Sequence, residues 1–165
     1  MVSATFLLYV VRESEALYEI DLSGPGKRED SPHLAQFIVL AALDELQLRL
    51  KKNTGGAVAG PGEVGFLKTI DQFNDFAVSA YTTAAGLHFL LLHKLTNNSN
   101  NSLLKSSTTS SAPPSPYGPF FQEVHEVFAS TVLVNPFYHP FQHVQGGLKT
   151  LLDVRLQAVG KKHLI

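Results

Sequence analysis

Residues 66–93, FLKTIDQFNDFAVSAYTTAAGLHFLLLH, decide the fold. Residues 66–73 and 76–83 read as strands, and Asn74-Asp75 between them as a tight turn. Ala84-Ala85-Gly86 is the next turn. Residues 87–93 are apolar almost throughout, the pattern of a strand covered on both faces. Three strands joined by turns this short form an antiparallel meander.

Residues 4–11, ATFLLYVV, carry the same two-faced apolar pattern and belong beside 87–93 in the middle of the sheet. Arg12-Glu13-Ser14-Glu15 is a polar turn. Residues 16–22 then alternate, with Ala16, Tyr18, Ile20 and Leu22 on one face and Leu17, Glu19 and Asp21 on the other. That is a half-exposed strand closing a hairpin. Residues 23–30 hold Gly24-Pro25-Gly26 and form a loop. Residues 53–65, NTGGAVAGPGEVG, read as a flexible glycine-rich connection, and residues 96–116 as a low-complexity loop expected to be disordered. A second helix begins at Pro119, buries Phe120, Phe121, Val124, Val127, Phe128 and Val132, and stops at Asn135-Pro136. A third runs to about Val159 with Leu148, Leu151, Leu152, Leu156 and Val159 inward, and Gly160 suits the residue just past its end. The order is ββαβββαα, a single α+β domain over residues 1–165. A largely antiparallel five-stranded sheet with apolar middle strands needs cover on both faces, so one helix sits on one face and two on the other.

The first helix spans residues 31–50, SPHLAQFIVLAALDELQLRL. Ser31 suits the N-cap and Pro32 the first helical position. At about 100° per residue, Leu34, Phe37, Ile38, Ala41 and Ala42 form one apolar face. Val39, Leu43, Leu46 and Leu50 form another, and a polar seam of His33, Gln36, Asp44, Gln47 and Lys51 is interrupted by Leu40. A surface helix needs one apolar face, so a second implies either deep burial within this chain or contact with another chain, and contact with a partner is the expectation taken here. The expected contact set is Val39, Leu40, Leu43, Asp44, Leu46, Gln47 and Leu50. Asp44 stands mid-helix, where a carboxylate gains nothing from the helix dipole.

Composition removes whole classes of function. With a formal net charge of −1, no overall basic field attracts nucleic acid or anionic lipid. With no cysteine, disulfides, thiol catalysis and Cys-ligated metals are absent. The first residues lack a basic segment and a small-residue cleavage site, so no secretory signal is read there, and no stretch is long enough to span a bilayer. Gly60-Pro61-Gly62-Glu63-Val64-Gly65 matches G-x-G-x-x-G, but it leaves a helix and enters a strand, the reverse of a dinucleotide site. His139 and His143 are four apart, with Pro140 between them and no third ligand nearby. They define the alternative reading, a small-molecule- or metal-binding enzyme that uses the loop around His139 and His143. A membrane-surface module using Lys51-Lys52 or Lys161-Lys162 is a third. No nucleophile elbow or P-loop occurs. No catalytic residue, cofactor or metal is therefore assigned.

Three segments together resemble the sedlin family: HLAQFIVLAALDELQ at 33–47, FLKTIDQFNDFAVSAYTTAAG at 66–86, and NPFYHP at 135–140 with GKKHLI at 160–165. The resemblance spans most of the chain outside residues 53–63 and 96–116. It implies a longin-like (SNARE-like) fold and a small non-catalytic core subunit of the TRAPP vesicle-tethering complex. The expected partners are other TRAPP core subunits and larger peripheral ones. Through them the chain would act indirectly on a Rab-type GTPase, whose nucleotide exchange the assembly promotes in endoplasmic-reticulum-to-Golgi and related traffic. The implied location is cytoplasmic, peripheral at those membranes. The family's Ala-Ala-Leu-Asp step falls on Ala41, Ala42, Leu43 and Asp44, and the position of Asp44 is implicated in adaptor contact.

Overall fold

The computed structural model describes residues 5–24, 32–54, 65–95, 117–139 and 142–164. The strands are β1 (Phe6–Arg12), β2 (Glu15–Asp21), β3 (Gly65–Phe73), β4 (Phe76–Thr82) and β5 (Leu87–Lys94). The helices are α1 (Pro32–Thr54), α2 (Tyr117–Phe128), which continues into a π-helical turn at Ala129–Leu133, and α3 (Gly146–His163). The strands form one antiparallel sheet in the order β2-β1-β5-β4-β3. The two apolar strands are thus central neighbours, paired from Phe6 opposite His93 to Arg12 opposite Leu87.

Alternation along β1 and β5 divides the core into two layers. Leu8, Val10, Leu87, Phe89 and Leu91 face α2 and α3, where they meet Phe120, Phe121, Val124, Phe128, Leu152 and Leu156. Leu7, Tyr9, Val11, Leu90 and Leu92 face α1, against Ala35, Ile38, Val39, Ala42, Leu43 and Leu46. One helix covers one face and two cover the other, a longin-like arrangement. Asn74, with φ of 51°, makes the two-residue β3–β4 turn, and Gly86, with φ of 75°, makes the β4–β5 turn. Thr83 closes the latter, its hydroxyl accepting from the Leu87 N–H at 3.1 Å.

Three local expectations are corrected. Ala16 is exposed and Leu17 buried, because a bulge between Val10 and Val11 shifts the β1–β2 register. The third helix does not stop at Gly160 but continues to His163. Gly160 is there for space: an added Cβ would lie 3.3 Å from Leu22 Cδ2. The helix lies so close to the end of β2 that the absent side chain matters more than the helix-ending preference of glycine. α1 runs on through Asn53 and Thr54, and Gly65 opens β3. The rest of the glycine-rich connection, the loop at 96–116 and the Ser31 cap lie outside the described residues.

The sheet's margins differ. Beyond β2, the Val144 N–H donates to the Leu17 carbonyl at 2.9 Å and His143 Nδ1 reaches the same oxygen at 2.6 Å. β3 carries two register shifts, with Lys68 left-handed at φ 61°. From α3, Asp153 accepts the buried Tyr18 hydroxyl, tying the helix to β2.

The two histidines buried in the sheet are both hydrogen-bonded. His93 is sealed between Ser79 Oγ at 3.2 Å and the Tyr117 hydroxyl at 3.4 Å, its ring 4.6 Å from that of Tyr117. Burial lowers its pKa from 6.5 to about 4, and burial also lowers that of His88. The native state therefore binds fewer protons than the unfolded chain below pH 6.5. The stability this neutral histidine permits is present above its unfolded pKa and declines as pH falls from 6.5 toward 4. Thermal unfolding followed by circular dichroism should show Tm falling across that window, with a shallower fall in His93→Gln.

Candidate functional site

α1 presents two sides of opposite use. Ile38, Val39, Ala42, Leu43 and Leu46 point into the sheet, and Leu46 is fully buried. Leu50 is half-buried against the same core. The expectation that Val39, Leu43 and Leu46 reach a partner is therefore corrected: all three are needed under the helix. On the wheel they lie next to Ile38 and Ala42, so these residues of the two faces read from sequence form one broad inward face, while Phe37 and Ala41 of the first face turn outward.

The surplus apolar surface is elsewhere. Phe37 is 61% and Leu40 59% exposed, and Leu48 is also exposed. With exposed Ala41 and Asp44 they run at spacings of three and four along the outer stripe of the helix. Phe73, at the end of β3, extends the patch: its ring stands edge-on to Phe37, centroids 6.5 Å apart at 76°. Of the expected contact residues, the structure leaves Leu40 and Asp44 on this face. Gln47 is half-buried and holds the β1–β2 turn, its Nε2 donating to the Glu13 carbonyl at 2.9 Å. Arg49 fixes the other flank, donating to the Ile70 carbonyl at 2.7 Å and to Glu45 at 3.1 Å. The stripe is thus rigidly mounted, with one carboxylate, Asp44, in its middle.

Leu48 and Phe73 are absent from the expected contact set, and Phe37 was placed on the inward face with Ile38 and Ala42. The signal was present in the spacing 37, 40, 41, 44, 48, but the polar seam drawn through Asp44 concealed it. Phe73 is brought in by the sheet, which no helical periodicity reports.

The histidine reading finds no converging ligands. His143 spends Nδ1 on the Leu17 carbonyl, and His139 is exposed on its turn. Among the described residues no three His, Asp or Glu side chains stand close enough to hold a metal ion. The Ser79–His93 contact has the elements of a nucleophile and base, but both are buried and a tyrosine caps the histidine. Glu123 is bound by Lys162 Nζ at 2.8 Å and His163 Nε2 at 2.6 Å. These hydrogen bonds, that of Lys162 first, lower its pKa and pin the end of α3 to α2. No helix among the described residues is long and apolar enough to cross a membrane. The outer side of α1 offers an apolar surface for contact.

A family model described as Sedlin matches residues 10–162, from β1 to the last turn of α3. The chain belongs to the sedlin family. This sedlin-family chain is 30% identical over 152 residues to the "Transport protein particle 20 kDa subunit" of Schizosaccharomyces pombe, covering 90% of each chain. It is 26% identical over 183 residues to the "Trafficking protein particle complex subunit 20" of Saccharomyces cerevisiae, covering 96% of this chain and 97% of that one. It is also 33% identical over 98 residues to the "Probable trafficking protein particle complex subunit 2" of Drosophila melanogaster, covering 58% and 64%.

The two sides of α1 should separate in stability measurements. Leu46→Ala should cost about 2–5 kcal/mol in urea unfolding, as a core truncation. Leu40→Ser should stay within about 0.5 kcal/mol of the parent, as an exposed one.

Proposed function

We propose that this chain is a non-catalytic subunit of a TRAPP-type vesicle-tethering complex and works by protein contact through the outer stripe of α1. The observation that carries the reading is the rigid apolar patch of Phe37, Leu40, Leu48 and Phe73 around Asp44. Exposed phenylalanine and leucine in one contiguous patch gain free energy when covered, and a central carboxylate fixes which partner fits. The names of the relatives, all particle or complex subunits, support the kind of partner: other TRAPP subunits, core and peripheral. The same reading assigns the chain an indirect part in Rab-type nucleotide exchange and a peripheral position at endoplasmic reticulum and Golgi membranes. The residues of this chain bind and position, and the exchange chemistry belongs to the assembly.

The contact set proposed here is Phe37, Leu40, Asp44, Leu48 and Phe73, with Gln47 at its margin. Asp44→Tyr adds bulk and removes the charge at the middle of the patch without touching the core. The tagged full-length chain, purified from its own cells, should retain its thermal unfolding midpoint with this substitution. Co-purifying TRAPP subunits, measured by quantitative mass spectrometry, should fall about tenfold or more for at least one subunit, the scale of a hot-spot loss. Unchanged recovery of every subunit, for both Asp44→Tyr and Leu40→Asp, would falsify the role of this face.

A further inference from the structure

The opposite layer carries a second patch of different build. α2 and α3 run antiparallel, with Glu123 against Lys162 and His163 and, two turns on, Thr131 Oγ1 accepting from Arg155 Nη1 at 3.0 Å. One turn further toward that end lie Val134 on one segment and Leu151 on the other. Both are exposed, as is Val154 beside Arg155. The chain then turns at Asn135-Pro136, and Phe137 projects from the turn 97% exposed.

Phe137 is not on a loose segment. Its N–H donates to Asn135 Oδ1 at 3.0 Å, and the Tyr138 N–H donates to the Asn135 carbonyl at 3.3 Å. The Tyr138 hydroxyl donates to the Gln142 carbonyl and closes the loop. A turn whose backbone is already held in place loses little freedom on binding. Arg155 supplies the charge. It donates to Thr131 and has no carboxylate partner among the described residues. Asp153, nearby on α3, is engaged by Tyr18 and Lys149.

We propose that the Phe137 turn is a knob that seats in an apolar socket of a partner protein, with a carboxylate at the socket's lip facing Arg155. The charge decides between a protein and a lipid surface. A single juxtamembrane cation contributes only about 1 kcal/mol toward an anionic bilayer. Lys149 is already paired with Asp153 at 3.3 Å, so among the described residues the patch offers Arg155 as a cation without a carboxylate partner, and no basic field. One guanidinium with planar donors, bonded to Thr131 at the same end of the α2–α3 pair as an aromatic knob, instead fits a single carboxylate and a hollow, the pairing that orients protein partners. α1 covers the other face of the sheet, so the chain can hold one partner on each side at once. The proposal stands on these residues alone and does not depend on the reading of the α1 stripe.

The test places a photoreactive benzoylphenylalanine at Phe137 in the full chain, in its own cells, with the same residue at Leu40 as the comparison. Adducts are mapped to the residue on the partner. The expected result is an adduct at 137 in a different protein, inside an apolar hollow with an Asp or Glu within reach of Arg155. Arg155→Glu should then weaken binding to that purified protein about tenfold, and replacing the mapped carboxylate by lysine should restore it. The unfolding midpoint of Phe137→Ser should match the parent, which keeps lost binding distinct from lost fold. No adduct at 137 while 40 cross-links overturns the proposal, as does an adduct to a second copy of this chain. So does an adduct to lipid, accompanied by Phe137-dependent flotation with phosphatidylserine–phosphatidylcholine vesicles. An adduct without charge-swap rescue overturns the assignment of the socket.

Discussion

The pairing of β1 with β5 is the constraint from which the rest follows. The seven residues of one central strand and the eight of its neighbour are apolar or aromatic apart from Arg12, His88, His93 and Lys94, and their side chains alternate above and below the sheet. Neither face can be left wet, so the chain must supply two layers of helix. A helix that covers a sheet gives up only its inner side. The outer stripes of α1 and α3 are therefore free to carry whatever side chains contact with other molecules requires. The interior fixes the scaffold, and the exposed apolar residues on each side are what distinguish it from a domain that has only to fold.

The polar groups inside this scaffold show the same logic. His93, Ser79 and Tyr117 satisfy one another where β4, β5 and α2 meet, and His88 pairs with Thr82 across the other face. Each is a cost of burying polar atoms, offset by a partner within hydrogen-bond distance. None opens to solvent in a way that would make it a reaction centre. Tyr18, whose pKa is raised by burial and by its bond to Asp153, likewise acts as a strut between sheet and helix.

Much of this was legible before any coordinates. The strands declared themselves because two-faced apolar runs and short turns leave few alternatives, and their order across the sheet followed from which two needed the middle. What failed did so for three-dimensional reasons. The helical wheel of α1 gave correct angles, but Val39 and Leu46 were set apart from Ile38 and Ala42 when the sheet was broad enough to take all four. Leu17 faced inward through a bulge that period-two counting cannot register. Gly160 looked like a terminator because its neighbour Leu22, 138 positions earlier, is invisible to local reasoning. Of the candidate contact surface, Leu40 and Asp44 were found by pattern. Phe37 was assigned to the wrong side, and Phe73 came from a separate strand. Phe137 was read only within the NPFYHP segment at 135–140, since composition cannot distinguish a ring tucked under a turn from one that projects from it.

The treatment of the sheet's two margins has a consequence for how this molecule associates. Val144 and His143 occupy the Leu17 carbonyl on one side, while on the other Lys68 and two irregular steps disrupt the ladder. A foreign strand finds no long straight rail to zip onto at either border. A protein with bare phenylalanines on its flanks would otherwise invite copies of itself to stack without limit. Here adhesion is left to side chains, which can discriminate between neighbours, and is withheld from the backbone, which cannot.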